Sequence, residues 1–488
     1  MTANHSHHHN EKLQLVFISY PGIGNLVPTV EFAQHLLNHH PQFSVTILLI
    51  NKHRRPIVDT YSQSISATST NIRFIHLPTV HPPSHDQFQS SFGYVCLLIH
   101  NHKPQVKSAI ADLIGTESPS DSPARVAAVF VDMFCTSMID VANELGVPCY
   151  LFFQSPASFL GFMIDLPDLD PKLVTGFSDS DTELSIRSFR NPMRQRMLPN
   201  AVLKGQDGYS WHVYHGKRYM ETKGIVVNTF RELESYAINS LSLGGVPKVY
   251  PIGPIIDLNG PSQWHPDRAH YETAVKWLDS QPNSSVVFLC FGSMGSLSGP
   301  QVREIALGLE RAGFRFLWSL REPPKTQLDL PTDYVDLNEA ALPLPDGFLE
   351  RTAGMGLVCG WVPQVTILAH QAIGGFVSHC GWNSILESLW YGVPIATWPI
   401  YAEQQLNALE MVKELGLAVE LRLDYREGRD DLIPAEELER GIKGLMKDDA
   451  RVREKVKEMR EKSRMTLMEN GSSLQYLGAL VKDLMSNI

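Results

Sequence analysis

The sequence predicts an α/β protein of two facing domains, each built on a doubly wound parallel sheet. Its 488 residues exceed the roughly 250–300 residues at which a single core stops growing. Short, nearly continuous apolar runs alternate with helical patterns, as expected for parallel strands covered on both faces. The alternation stops once, at 254–270, where proline, glycine and polar residues show no periodicity, and then resumes.

Apolar runs predict six strands in a first domain that spans 1–253. They are 13–20, 44–50, 72–77, 125–131, 148–153 and 224–230. The first run leads into PGIGNLVP (21–28), a glycine turn before a helix. Pro28 suits a first helical turn, so we expect the helix to begin there. Asn25 would then lie at the tip of the turn, at the edge where open α/β sheets bind ligands.

The second domain, 271–463, repeats the pattern after a linker at 254–270. Its predicted strands are 286–291, 314–320, 356–361, 374–379 and 393–398. Residues 321–347 are expected to form a long surface loop. The charged stretch 449–486 is expected to be a solvated helix pair, with 464–488 packing back on the first domain.

Composition and charge exclude several classes of function. A formal net charge of −10 argues against a nucleic-acid partner. The six cysteines lie mostly in apolar runs without metal-ligand spacing, so we expect buried thiols in a reducing compartment. No apolar signal region and no apolar run of about 18 residues is present. We therefore expect a cytoplasmic monomer without a membrane span, and a disordered polar leader at the N-terminal histidines.

The turn PGIGNLVP matches neither common phosphate motif. A dinucleotide fingerprint needs a third glycine where Val27 stands, and a P-loop needs a Gly-Lys-Ser/Thr sequence. The Asp-x-Asp sequences 168–170 and 179–181 lie in loop-like sequence, so no metal site is predicted.

The stretch GGFVSHCGWNSILESLWYG (374–392) predicts a strand that ends at His379 and a helix from Asn383 to Trp390. Gly381 permits a close backbone approach. The helix N-terminus, with Asn383 and Ser384 as added donors, would suit a diphosphate. A capped helix beside a core histidine explains these residues equally well.

The longer segment 361–404 resembles the 44-residue signature box of plant family 1 UDP-sugar glycosyltransferases. The FGSMGS turn (291–296), the PGIGxxxP start and the closing helices are also similar to that family, so the resemblance covers nearly the whole chain. It implies two Rossmann-like domains in the GT-B arrangement and inverting transfer of glucose. UDP-glucose would be a co-substrate, with no cofactor and no metal. The acceptor would be a hydroxyl, or a nitrogen or sulfur, of a small aromatic compound or terpenoid.

The resemblance implies roles for eleven donor-binding positions. Trp361 would stack on the uracil ring, and Gln364 and Glu387 would bind the ribose hydroxyls. Glu403 and Gln404 would bind the sugar, and a final glutamine is typical of glucose users. Phosphate binding is implied for Ser293, His379, Asn383 and Ser384. Val362 and Trp382 complete the set.

One family position is altered. The family turn normally reads PGxGH, and an aspartate orients that histidine as the general base. The aspartate is present as Asp132 in FVDMF, but Asn25 replaces the histidine. Asparagine cannot accept a proton at neutral pH, although its amide can donate to Asp132. General-base catalysis is worth about 10²–10⁴-fold, so we expect a loss on that scale.

Three interpretations of Asn25 remain open. The chain is an inactivated variant, or Asp132 acts directly as base on acidic phenols, or the protein binds its ligands without turnover. His35, His39 and His40 follow the helix away from the turn and are not substitute bases. The acceptor wall is predicted from Phe92, Tyr94, Met133 and Gln154, with Trp398 and Tyr401 from the second domain.

Overall fold

The computed structural model describes residues 13–50, 56–115, 125–172, 183–199, 202, 207–260, 269–325, 329, 331–334, 342–425 and 432–486. The N-terminal histidines, the Asp-x-Asp sequence at 179–181, linker residues 261–268 and parts of the 321–347 loop lie outside the described residues.

The first domain is built on a seven-stranded parallel sheet. Its strand order is β3-β2-β1-β4-β5-β8-β9. The strands are β1 (Leu13–Ser19), β2 (Phe43–Leu49), β3 (Ile72–His76), β4 (Arg125–Asp132), β5 (Cys149–Phe153), β8 (Gly224–Val227) and β9 (Lys248–Pro251), and β6 (Glu183–Leu184) and β7 (Met193–Arg194) form a separate antiparallel pair. Its helices are α1 (Ile23–His39), α2 (Pro56–Thr68), α3 (Ser91–Asn101), α4 (Lys103–Gly115), α5 (Ile139–Glu144), α6 (Ala157–Leu169), α7 (Asp207–Tyr219) and α8 (Ser235–Leu241).

The second domain has a six-stranded parallel sheet of order β14-β11-β10-β15-β16-β17. Its strands are β10 (Val286–Cys290), β11 (Arg315–Ser319), β14 (Gly356–Cys359), β15 (Ile373–Ser378), β16 (Ile395–Thr397) and β17 (Ala418–Val419), with β12 (Arg321–Glu322) and β13 (Thr332–Asp333) forming a separate pair. Its helices are α9 (Ala269–Asp279), α10 (Gly299–Ala312), α11 (Phe348–Arg351), α12 (Gln364–Leu368), α13 (Trp382–Tyr391), α14 (Gln404–Leu409), α15 (Ala435–Lys443), α16 (Ala450–Met465) and α17 (Ser472–Ser486).

The predicted α/β fold and all eleven predicted strands are confirmed. Each sheet is covered on both faces, which explains why its strands are almost wholly apolar. Two short edge strands, β9 and β17, were missed because runs of four and two residues carry little periodicity. The predicted surface loop 321–347 also contains the two-residue strands β12 and β13. All six cysteines are buried free thiols, as predicted.

The expected start of α1 is wrong. The helix begins at Ile23, so Pro28 lies inside it and Asn25 lies in its first turn. A proline in the first turns of a helix removes an N–H that would otherwise bond four residues back, here to the carbonyl of Gly24. That carbonyl is satisfied from the second domain, as described below.

The C-terminal helices cover apolar surface in both domains. On α16, Val452, Val456 and Met459 are buried in the core beneath α13. The next helix, α17, buries Leu480 and Leu484 in the core of the first domain. The expected solvated pair is therefore wrong, because only the outer faces of these helices are charged. Among the described residues, no helix is both long and apolar enough to cross a membrane.

Candidate active site

The strand orders of the two sheets mark one cleft. In the first sheet, β2 and β3 lie on one side of β1, and β4 and the later strands lie on the other side. The direction in which successive strands are added therefore reverses between β1 and β4. The second sheet reverses in the same way between β10 and β15. Ligands of open parallel sheets bind beyond the carboxyl ends of the strands at such reversals. The two candidate half-sites therefore follow β1 and β4 in one domain and β10 and β15 in the other.

Residues of the two domains also contact each other beyond the ends of β5 and β8. Trp382 Nε1 donates to the carbonyl of Asn228 at 2.6 Å. Ser155 Oγ, after β5, lies 3.1 Å from Glu403 Oε1, before α14. These direct polar contacts join the two domains beside the cleft.

The first half-site contains Asn25 and Asp132. Asn25 Nδ2 donates to Asp132 Oδ2 at 3.1 Å, and the backbone N–H of Phe134 donates to the other oxygen, Oδ1, at 2.9 Å. Burial raises the pKa of the Asp132 carboxyl to about 6, although these hydrogen bonds partly offset it. The structure therefore brings together the two residues predicted as the altered catalytic pair, with both carboxylate oxygens occupied.

Asn383 connects the first turn of α1 to the second half-site. Its Nδ2 donates to the carbonyl of Gly24 at 3.1 Å, the carbonyl that Pro28 leaves free. Asn383 Oδ1 is buried without a hydrogen-bond partner within the described part of the chain. The predicted phosphate residue thus contacts the first domain, with one amide atom still unsatisfied.

The predicted ribose-binding residues form one cluster. Gln364 Nε2 lies 2.6 Å from Glu387 Oε2 and 2.7 Å from Ser384 Oγ. Burial raises the pKa of Glu387 to about 7, the Asp257 charge raises it further, and the Gln364 hydrogen bond opposes both. A charged Glu387 could accept two hydroxyl hydrogen bonds from a ribose.

The predicted phosphate site is built around His379. Its ring is packed so closely by two glycines that a Cβ on either Gly292 or Gly381 would lie 2.5 Å from its Nε2. Burial lowers the pKa of His379 to about 4, so the ring is neutral at physiological pH. Its Nδ1 is buried without a partner among the described residues, and α13 begins at its side without a side-chain cap. Ser293 is exposed beside Gly292. The free N–H groups at the start of α13 suit a diphosphate.

The predicted sugar-binding residues lie at the start of α14. Gln404 Oε1 accepts the backbone N–H groups of Ile400 and Tyr401 at 2.9 and 3.0 Å, which leaves its Nε2 for a ligand. Burial raises the pKa of Glu403, which accepts from Ser155. Both groups therefore face the junction of the domains.

Two residues predicted to bind the sugar donor, Val362 and Trp382, expose little side-chain surface to a ligand. Val362 and Trp382 are both buried in the core of the second domain, because they are apolar positions on its inner face. Trp361 is half-buried, and its backbone N–H donates to Asp333 Oδ1 at 2.9 Å. Arg321 Nε lies 2.8 Å from the same oxygen. This Arg321–Asp333 pair was missed, because its loop carries no periodic signal.

The acceptor side differs most from the prediction. Phe92 is half-buried as expected, but Met133 and Tyr94 are buried in the first core and Trp398 in the second. Trp398 is fully buried, so its assignment is wrong, whereas the predicted acceptor roles of Met133 and Tyr94 stay predictions. The predicted Gln154 donates from Nε2 to Thr29 Oγ1 at 2.9 Å, and its buried Oε1 has no partner in the described residues.

Four half-buried or buried rings form what we call the aromatic wall: Tyr20, Phe92, Phe134 and His212. Centroid distances are 5.8 Å for Tyr20–Phe134, 4.8 Å for Phe92–Phe134 and 4.7 Å for Phe92–His212. Tyr401, a predicted wall residue, instead lies 6.3 Å from the His379 ring. Phe134 follows the end of β4 in a turn, so no strand periodicity in FVDMF could have found it.

The fold and site define the class of a two-domain nucleotide-sugar transferase with the GT-B arrangement. Comparison with known proteins supports this. Residues 229–451 match the family model described as UDP-glucoronosyl and UDP-glucosyl transferase. UDP-glycosyltransferase 43 of Pueraria montana var. lobata is 54% identical over 477 residues, which cover 97% of this chain and 100% of that protein.

A second relative and a solved structure agree. UDP-glucose flavonoid 3-O-glucosyltransferase 6 of Fragaria ananassa is 46% identical, over 97% of this chain and 99% of that protein. The crystal structure of Medicago truncatula UGT71G1 complexed with UDP-glucose has a TM-score of 0.88 and 43% identity, over 97% of this chain and 99% of that chain. The chain belongs to the UDP-glycosyltransferase family, and it is a UDP-glycosyltransferase.

Proposed function

We propose that this protein transfers glucose from UDP-glucose, with inversion, to a hydroxyl of a small flat aromatic acceptor such as a flavonoid. The observation that carries the proposal is the Asn25–Asp132 pair, which lies between the aromatic wall and the cluster around His379. The UDP-glucose bound by the Medicago relative and the flavonoid in the Fragaria relative's name support the two substrates.

In the proposed reaction the acceptor oxygen attacks the anomeric carbon while the bond from that carbon to the diphosphate oxygen breaks. UDP leaves with the bonding electrons, and its charge is met by the N-terminus of α13. The hydroxyl proton must also leave. Asn25 has no basic atom to take it, so the acceptor has to ionise or pass its proton to Asp132 or to water.

This route favours acidic phenols. Asp132 has both oxygens engaged, by Asn25 and by the Phe134 N–H, so its access to a hydroxyl proton is restricted. An acceptor that is already ionised at neutral pH needs no base. We therefore expect the rate to rise steeply with the acidity of the phenol, and Asn25→His to flatten that dependence.

A series of substituted phenols tests this proposal. UDP release and the glucoside formed are measured for each phenol at pH 7, and NMR reports the anomeric configuration. A β-glucoside formed fastest from the most acidic phenols supports the proposal. Retention of configuration, or no UDP-glucose binding by calorimetry, would contradict it.

Binding without turnover is the second candidate, because Asn25 lacks a proton-accepting nitrogen at the position where the family resemblance places the base. Measurable UDP-glucose affinity with no glucoside from any phenol, even an acidic one, would favour it. The glucosyltransferase proposal has three further parts. The acceptor atom is a hydroxyl oxygen rather than a nitrogen or sulfur, the protein is a monomer, and its location is cytoplasmic.

We also propose that transfer needs neither metal nor cofactor. The phosphate site supplies uncharged backbone donors at the start of α13, which can meet the diphosphate directly. Excess EDTA should change the rate of UDP release by less than about twofold. Loss of activity that Mg²⁺ or Mn²⁺ restores would contradict the proposal.

A further inference from the structure

His212 on α7 supplies the imidazole ring of the aromatic wall. Its ring lies 4.7 Å from that of Phe92 and 5.8 Å from that of Phe134, and only 4% of the residue is exposed. The family resemblance gives it no role, and neither does the reaction proposed above.

Hydrogen bonding sets the tautomer of His212. Its Nδ1 lies 2.6 Å from the carbonyl oxygen of Gly208, and a carbonyl can only accept, so Nδ1 carries the proton. Burial lowers the pKa of His212 to about 4, so the ring is neutral at physiological pH. The other nitrogen, Nε2, therefore holds a free lone pair.

No described residue donates to that lone pair. Neighbouring His215 provides a contrast, because Thr136 Oγ1 lies 2.7 Å from its Nδ1 and Cys96 Sγ lies 3.6 Å from its Nε2. The Nε2 of His212 retains accessible surface, whereas the residue as a whole is almost completely buried. A nearly buried acceptor without a partner is suited to a ligand donor.

We propose that His212 Nε2 accepts a hydrogen bond from a second hydroxyl of the acceptor, remote from the one that is glucosylated. Phe134 and Phe92 connect Tyr20, beside the Asn25 turn, to His212 as an unbroken aromatic surface. An extended aromatic compound with a hydroxyl at each end would lie along this surface. The inference rests on the proposed function and makes His212 a specificity-determining residue for polyphenols.

A matched pair of acceptors tests it. 4,4′-Dihydroxybiphenyl has two equivalent phenols and 4-hydroxy-4′-methoxybiphenyl has one, and only the first compound has a donor remote from the reacting hydroxyl. The kcat/KM of the first compound is divided by two to correct for its two equivalent reaction sites. The measured quantity is the ratio of their kcat/KM values, in this chain and in three variants. His212→Phe keeps the ring without the nitrogen, and His212→Gln keeps a polar acceptor near the same place. His100→Phe makes the same change at an exposed histidine of α3.

A net hydrogen bond of ordinary strength corresponds to about fivefold to tenfold in binding. We expect this chain and His100→Phe to prefer the dihydroxy compound by about that factor, His212→Phe to lose the preference, and His212→Gln to retain part of it. Equal ratios in this chain and in His212→Phe, with UDP-glucose binding intact, would overturn the inference. The absence of any preference for the dihydroxy compound in this chain would also overturn the inference, and that measurement does not depend on the folding of a variant.

Failure of the proposed transferase activity can be distinguished from failure of the proposed role of His212. If no variant forms a glucoside, the proposed transferase activity fails. The same two biphenyls can then be titrated in the presence of UDP by calorimetry, and the ratio of their dissociation constants supports or overturns the role of His212 by the same criterion.

Discussion

The amide of Asn25 donates a 3.1 Å hydrogen bond to Asp132, a buried carboxyl with a pKa raised to about 6. In the family that this chain resembles, the same aspartate orients a histidine base. Here the carboxylate binds a group that cannot take up a proton. Asp132 thus holds an amide donor where the resemblance implies an imidazole.

Removal of the Asp132 carboxylate should therefore have different effects on kcat in this chain and in its Asn25→His variant. Asp132→Asn in this chain is expected to lower kcat less than about threefold, since no base depends on it. In the Asn25→His background it should cost about 10²-fold or more, because an orienting carboxylate sets the tautomer of its histidine. Equal losses in both backgrounds, measured by UDP release, would show that Asp132 itself acts as the base.

Glu387 should make UDP-glucose binding depend on pH. Its pKa is raised to about 7, and only the charged carboxylate accepts from both ribose hydroxyls, so affinity should increase as the pH rises from 6 to 8. Glu387→Gln should weaken binding by about tenfold or more at pH 8 and remove the dependence. Calorimetry measures both effects, with Glu458→Gln on the exposed face of α16 as the control. A Glu387→Gln protein with the same pH slope would contradict the role of Glu387.

Two buried carboxyls connect the domains away from the cleft. Glu234 accepts the N–H groups of Ala157 and Ser158 at 2.9 and 2.8 Å. Ser158 Oγ in turn donates to Glu410 of the second domain at 2.6 Å. Burial raises the pKa of both glutamates, and the charge of Glu234 also raises that of Glu410. The folded state therefore holds a proton here that the unfolded chain releases at its ordinary pKa.

The stabilisation that the Glu234–Glu410 pair contributes should decrease as the pH rises. Stability from this pair is fully present below the ordinary glutamate pKa and is lost as the pH rises through the raised folded values. Glu410→Gln imitates the protonated form, so it should raise the thermal midpoint at pH 8 by about 2–4 °C and give no gain near pH 4. Thermal unfolding across this range measures it. A gain that is the same at every pH, or a gain in the Glu458→Gln control, would be inconsistent with the shared proton.

The sequence predicted the framework of this molecule better than its side-chain directions. Apolar runs identified eleven strands, and the signature box brought Gln364, Ser384 and Glu387 into one cluster. Periodicity could not tell whether an aromatic residue faces the core or the cleft, so Trp398 was misassigned. Contacts between residues far apart in sequence, such as Trp382 with Asn228, carry no local pattern at all.

The position of α1 shows a second limit. Pro28 is compatible with either the first turn of a helix or a place slightly further in, provided that the carbonyl it leaves free finds another donor. Asn383, 359 positions away in the sequence, is that donor to Gly24. Local rules therefore could not place the helix start.

The central claim is that Asn25 occupies the position of the base and limits turnover. UDP release from UDP-glucose with a panel of phenols, for this chain and for Asn25→His in parallel, tests it most directly. We predict a gain of about a hundredfold or more in the histidine variant, within the range of general-base catalysis. Equal rates in the two proteins would contradict the claim and assign proton removal to Asp132 or to the acceptor itself.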